Sequence, residues 1–253
     1  MILNNAKALY AGEHAVSAVY LGDELVWRRI IPAGYILLKG IESNGLQYID
    51  TGIRGNQNTR IRCVFENTNY IGTAASVFGS RTSATANSIN CMIGSVGDIQ
   101  LDWYDYNATR IKTAQVIPLH TPVEVYVSAE KSSIRTGDES IERTTPYNKI
   151  FSTPSSIQVF RTNTKTMSLP WMILREFDMW DGDTQIVHLV PCINPDGIVG
   201  CYDTIRQVFL MNAGKGSFSA VYTLCCRRCL LYRPVIKQRR FYHGELFYRT
   251  DLG

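Results

Sequence analysis

The sequence predicts an all-β protein built as a two-sheet sandwich or jelly roll, and three observations carry this. Short runs alternate apolar and polar residues with period two, as over Arg60–Glu66 (RIRCVFE) and Val123–Ser128 (VEVYVS). Turn formers separate the runs at near-regular spacing: Asn56-Gln57-Asn58, Ser95-Val96-Gly97-Asp98, Thr136-Gly137-Asp138 and Asp181-Gly182-Asp183. No window shows the 3.6-residue apolar period of an amphipathic helix. Short strands cannot bury their apolar faces singly, so they stack as two sheets. At 253 residues, 45% hydrophobic and 19% charged, the chain can bury a full core without metals or disulfides.

The elements follow in order. Ala8–Val16 (ALYAGEHAV) is echoed by Ala18–Val26 (AVYLGDELV). Each copy is a β-prone run around a Gly-acidic pair, so each reads as a hairpin. About 30 residues cannot bury a core alone, so this module must dock on the next domain, on sister copies or on a partner. Ile31-Pro32-Ala33-Gly34 punctuates the chain. Beyond it, Arg60–Glu66 places Ile61, Cys63 and Phe65 on one face, and Val123–Ser128 turns Val123, Val125 and Val127 inward. Ser88–Ile93, Ile99–Tyr104, Ile157–Phe160, Trp171–Trp180 and Gln185–Val190 are further strands. Val187–Ala220 reads as strand, tight turn, strand, turn, strand and a Gly-rich exit. The expected organisation is a hairpin module over 1–30, a sandwich over 31–220 and an extension over 221–253.

Charge and cysteine content narrow the function classes. The net charge of +4 belongs to the end of the chain, where residues 225–253 carry seven Arg or Lys against two acids. A nucleic-acid surface over the whole protein is not implied. Seven cysteines in a chain of this length do not read as a disulfide scaffold. Cys192 and Cys201 bracket the turn at Asn194–Gly197, where a cross-strand bridge or two small buried thiols both fit. Cys226-Arg-Arg-Cys229 has the spacing of half a zinc site, but only His243 follows it. The N-terminus lacks a basic segment followed by an apolar one, and no run approaches the ~18 apolar residues of a membrane span.

Several segments together resemble a known family. Gly45-Leu-Gln-Tyr-Ile-Asp-Thr-Gly52, Phe78-Gly79-Ser80-Arg81, Val190-Pro191-Cys192, Pro195–Gly200, Tyr202-Asp203 and Asn212–Phe218 are similar to the laminin-G-like, concanavalin A-like jelly-roll domain of phage and prophage tail proteins. Cys201 stands where that family usually has Leu, and Val187-His188 where it usually has a charged pair. The second hairpin, VYLGDELVW, resembles the N-terminal attachment module of phage tail-tip and baseplate proteins. The matched residues are mostly turn and core positions, so they speak for architecture more than activity.

Candidate chemistry is sparse. Glu176, Asp178 and Asp181 approximate the acidic run of laminarinase-like retaining glycosidases, which share this architecture. Glu176 and Asp178 fall on one strand face, as a nucleophile and an acid/base about 5–5.5 Å apart would require. Asp181 is one methylene short of the expected Glu and opens a Gly-Asp turn. Asp102, Trp103, Tyr104, Asp105 and Tyr106 form an aromatic and acidic cluster able to stack sugar rings and accept hydroxyl hydrogen bonds. The same Trp103 can instead be core, with the tyrosines as amphipathic cover. Asp181, Asp183 and Asp196 sit in turns and could contribute to a calcium site, though without a ligand-loop spacing. No cofactor is otherwise expected.

Tyr10, Tyr20 and Trp27 in the hairpins, and Arg239, Arg240, Phe241 and Tyr242 in the extension, are the assembly candidates. The extension interleaves aromatics with basic residues, which suits an anionic partner or a pair of strands docked on a neighbouring subunit. The reading is a non-enzymatic virion protein made in the bacterial cytoplasm: a tail, tail-fibre or baseplate component that binds a host glycan or receptor. Its partners would be other tail proteins and copies of itself, a trimer by resemblance. A glycoside hydrolase, a head-decorating protein and a bacterial surface lectin are the alternatives.

Overall fold

The computed structural model describes residues 30–137, 139–164 and 168–222, together with the backbone of the short strands before residue 29. Two hairpins open the chain: β1 (Tyr10–Ala11) with β2 (His14–Ala15), and β3 (Ala18–Leu21) with β4 (Glu24–Arg28). The pairs Ala11↔His14 and Leu21↔Glu24 close them across two residues each, as tight hairpins require. Tyr10, Tyr20 and Trp27 lie on these strands, but their side chains fall outside the described residues, as do Arg239, Arg240, Phe241, Tyr242 and the pair Cys226 and Cys229.

The sandwich follows as β5 (Ile36–Leu37), β6 (Gly40–Asn44), β7 (Ile49–Asn56), β8 (Thr59–Asn67), β9 (Ala75–Ser80), β10 (Ser88–Ile93) and β11 (Ile99–Tyr104). One helical turn, α1 (Tyr106–Thr109), precedes β12 (Ile111–Lys112), β13 (Pro122–Val127), β14 (Ser132–Thr136), β15 (Glu139–Arg143) and β16 (Ser152–Val159). The long hairpin of β17 (Trp171–Asp181) and β18 (Thr184–Ile193) leads to β19 (Val199–Asp203), β20 (Val208–Leu210) and β21 (Ser219–Val221). Each strand expected from the sequence is present, and so is the strand–turn succession over Val187–Ala220.

The protein is an all-β, two-sheet jelly roll. One sheet has the order β12-β11-β10-β9-β16-β7, and the other runs β15-β14-β13-β8-β17-β18-β19-β20, with β5, β6 and β21 paired alongside. Cross-strand partners share a face, so the registers trace the core directly. Leu101, Cys91, Phe78, Val159 and Ile49 form one inward row across the first sheet. Ile134, Val125, Cys63, Phe177 and Leu189 form the inward row of the second. All ten are buried. Phe78 meets Phe177 edge-on between the sheets, with ring centroids 5.7 Å apart.

The family-like segments meet one another in space. Asn212 Oδ1 accepts from the N–H groups of Tyr48 and Gly214, and Asn212 Nδ2 donates to the carbonyls of Lys215 and Gly216. Buried Asp203 accepts from the N–H of Ile205 and from Arg206 Nε, while Arg206 Nη1 reaches the Thr51 carbonyl at 2.6 Å. These motifs therefore tie the β20–β21 exit and the turn after β19 to the start of β7.

The cysteine alternative resolves by register. Cys192 pairs with Gly200 and Cys201 with Pro191, one residue out of step. Strand neighbours alternate faces, so Cys201 enters the main core while Cys192 joins a small cluster with Ile31, Val190 and Tyr202. Both thiols are free. Among the described residues, no helix is long and apolar enough to cross a membrane.

Candidate functional site

The face of the six-stranded sheet turned away from the core carries a polar row. Asp102 pairs with Asn90, Asn90 with Gly79, Gly79 with Gln158, and Gln158 with Asp50. These residues alternate with the inward set, so each strand delivers one of them to the same line. Gly79 sits at the centre, where a Cβ would stand 2.6 Å from the Ile89 carbonyl and 2.9 Å from Asn90 Oδ1. The floor stays flat only with glycine there. Ser76, Ser88, Asn90 and Asp102 are fully buried, whereas Arg81, Arg110, Tyr106 and Gln158 around them are half-exposed. The buried polar residues of this face are covered by the half-exposed ones.

Local structure positions the rim. Asp105 caps α1 by accepting from the Asn107 N–H. Thr109, at the end of that turn, bonds both the N–H and the carbonyl of Trp103. This locks α1 over the end of β11 and delivers Arg110 to Asp102, where two contacts of 2.7 Å form a bidentate pair. That bond, the larger influence, raises the Arg110 pKa against the opposing effect of burial. Arg110 also lies over the Tyr106 ring, 4.7 Å from its centroid. Across the floor, Asn163 clamps the backbone of Arg81 through both its amide atoms. Burial lowers the Arg81 pKa, opposed by the nearby Asp102 carboxylate.

Hydrogen-bonding capacity on this face is left over. Ser76 Oγ donates to Asn90 Oδ1. Asn90 Nδ2, Ser88 Oγ, Arg81 Nε and Gln158 Oε1 are buried with no partner among the described residues. An unmade buried bond costs about 1–3 kcal/mol, so these four atoms call for a partner beyond the described side chains, ordered water or a ligand. The atoms include both donors and acceptors, the mixture that sugar hydroxyls match.

The predicted aromatic cluster divides. Trp103 is fully buried in the core against Phe151, which corrects its assignment as a sugar-stacking residue: no ring face is available. Asp102 is buried too, and its two oxygens serve Arg110. Tyr104 packs on Tyr147 and Phe151, and Asp105 is a helix cap. Only Tyr106 presents a ring at the rim. Arg81, Ser88, Asn90, Arg110 and Gln158 were not singled out by sequence as binding residues. Their signal was the polar half of the alternation in Ser88–Ile93 and the Gly-Ser-Arg of the family-like motif.

The acidic run on β17 forms a different assembly on the outer face of the larger sheet. Arg62 Nη1 binds Glu176 at 2.6 Å and Asp178 at 3.3 Å, while Arg62 Nη2 binds Glu124 at 2.8 Å. Burial opposes the charge of Arg62, but Glu176 and Glu124 outweigh it and raise its pKa. Asp178 also takes His188 Nδ1 at 2.6 Å and Gln185 Nε2 at 2.9 Å. Asp181 falls on the opposite strand face beside Asn56, 3.4 Å away. The three carboxylates are thus not gathered as a glycosidase set, and Glu176 and Asp178 are both engaged by one arginine. The calcium candidates do not converge either. Asp181 and Asp183 lie at one end of β18 and Asp196 beyond the other, about 30 Å away over ten residues at 3.3 Å each. Among the described residues, no group of three or more His, Cys, Asp or Glu is placed to hold a metal.

No family model matches the chain, and no curated protein does. Solved structures do match. A protein of Bacteroides ovatus ATCC 8483, described as a candidate carbohydrate binder, is 11% identical over 83% of this chain and 67% of its own, with a TM-score of 0.51. The CBM40 of a Ruminococcus gnavus IT-sialidase, bound to α2,3-sialyllactose, is 12% identical over 56% and 87%, at 0.41. Domains LG4-5 of the mouse laminin α1 chain are 14% identical over 60% and 42%, at 0.40. The first likeness shows a shared fold; the other two are too slight to carry an argument.

Proposed function

We propose that this chain is a non-catalytic glycan-binding jelly roll, and that the outer face of its six-stranded sheet takes the sugar. The carrying observation is the set of four buried polar atoms on Asn90, Ser88, Arg81 and Gln158 that lack partners among the described residues. A glycan would complete them with its hydroxyls, and Tyr106 would border it. The fold shared with the Bacteroides ovatus protein described as a candidate carbohydrate binder agrees with this reading. The sequence resemblance adds a setting: a tail, tail-fibre or baseplate component of a phage virion, in several copies, with the N-terminal hairpins as its attachment. Weak sugar contacts would then gain from copy number.

The test is a glycan array probed with the wild type and with Asn90→Ala and Arg81→Ala. The wild type is expected to select a glycan class, and each variant to weaken it about tenfold, the equivalent of one lost bond of about 1.4 kcal/mol. Melting temperatures should be read alongside, because Asn90→Ala also removes the acceptor of Ser76 Oγ and Arg81→Ala a charge near Asp102; binding is compared only under conditions where each variant is folded. Binding that survives both substitutions would contradict the assignment of this face.

A further inference from the structure

Around Asp102, the outer face of the six-stranded sheet holds more positive charge than its carboxylate answers. Asp102 is fully buried and gives both its oxygens to Arg110. That pair is closed, with one charge of each sign. Arg81 stands beside it, near enough to feel both charges: burial lowers its pKa, Asp102 opposes this and Arg110 adds to it. Yet no salt bridge and no side-chain hydrogen bond holds Arg81 among the described residues. A half-buried guanidinium is ordinarily paired, because burial strips its hydration without removing its charge.

Both arginines keep donors that solvent can reach. Arg110 uses Nε and Nη2 on Asp102, which leaves Nη1. Arg81 has its Nε buried but its two Nη atoms open to solvent. Their placement is set from behind. Asn163 grips the N–H and the carbonyl of Arg81, while Thr109 and the Tyr106 ring set Arg110. Neighbouring guanidinium forks with spare donors suit a carboxylate or a sulfate ester. A neutral hydroxyl would take up the donors and leave the extra charge unanswered. The outer face of the larger sheet has the reverse balance, since Arg62 is ringed by Glu124, Glu176 and Asp178.

We propose that Arg81, together with Nη1 of Arg110, binds the anionic substituent of an acidic glycan, a carboxylate or a sulfate ester. The sugar half of this inference rests on the glycan reading above; the anion site does not. Contact is made at the solvent-facing Nη atoms, so the buried polar atoms of the face need not be reached.

The experiment follows the arginine Nε–Hε resonances of the full chain by NMR at constant ionic strength. Sodium sulfate is titrated in, with sodium chloride as the blank. Sulfate should shift the Arg81 and Arg110 signals saturably and leave that of Arg62, whose donors are already taken, in place. Two matched pairs form the second arm: trigalacturonic acid with its methyl ester, and cellotriose sulfate with cellotriose. At least one acidic member should bind about tenfold tighter than its neutral partner, and the pair that does so separates carboxylate from sulfate. Arg81→Gln should abolish the sulfate response at Arg110 and erase that ratio, and Arg81→Lys, which keeps the charge without the fork, should restore part of it. Each variant is compared where it is folded. The absence of a saturable sulfate response, or its survival in Arg81→Gln, would overturn the proposal. If neutral glycans bind at this face while sulfate does not, the glycan reading stands and the anion site falls. If sulfate saturates Arg81 but no glycan of either charge binds, the anion site stands and its acidic-glycan ligand falls.

Discussion

Single side chains on the two outer faces behave oppositely, although both faces are polar. On the larger sheet every charge named here is engaged: Arg62 holds Glu124, Glu176 and Asp178, and Asp178 holds His188. On the smaller sheet, atoms of Asn90, Ser88, Arg81 and Gln158 are left over. His188 provides a test of the first case. Its hydrogen bond to Asp178 raises its pKa above the ordinary 6.5, against the opposing effect of burial. The protonated form is thus favoured by folding, and its stabilisation is complete below the unfolded value and lost as pH rises through the raised folded value. Melting temperature should therefore fall as pH is raised from about 6 into the range above His188's folded pKa, and His188→Gln should flatten that slope. An unchanged slope in the variant would place the titration elsewhere. On the smaller sheet, Arg110→Ala would strand the buried Asp102 carboxylate. A loss of about 3–5 kcal/mol in chemical denaturation is expected, reduced by whatever compensation Arg81 supplies.

At the level of elements, the turns carry more of the specification than the strands do. Asn212 makes four bonds that fasten the β20–β21 exit to Tyr48 and its own loop. Asn212→Ala should cost about 2–4 kcal/mol, since several main-chain groups lose their partner together; a loss under 1 kcal/mol would show that the loop reorganises freely. The sequence displayed these segments openly, because Gly, Asn and Asp at fixed offsets have few structural uses. Strands were legible where apolar alternation is clear, as over Arg60–Glu66 and Val123–Ser128, whereas Ala75–Ser80, buried at every position, and the short pair Ser132–Thr136 and Glu139–Arg143 were not singled out. The site was much less legible. Alternation places Ser88 and Asn90 opposite Ile89 and Cys91, but it does not say that the polar side is buried as well. Nor does it reveal that α1 and Thr109 turn Arg110 back onto Asp102. Trp103 was open to both readings because its neighbours are polar, and its parity on β11 decides for the core.

The molecule as a whole rests on two facing apolar rows, and its outer faces are free to differ because that core does not depend on them. Phe177→Ala, at the centre of one row and touching Phe78 of the other, should cost about 3–5 kcal/mol. A double-mutant cycle with Phe78→Leu should return a coupling of about 0.5–1.5 kcal/mol for the ring pair. Additive effects would mean that the sheets are not joined there. The central claim is that the six-stranded sheet presents a sugar-binding floor, and a crystal structure with a glycan selected on the array tests it most directly. The account predicts sugar oxygens within hydrogen-bond distance of Asn90 Nδ2, Arg81 Nε and Gln158 Oε1, with Tyr106 at the edge. A glycan seated elsewhere, with ordered waters completing those three atoms, would contradict it.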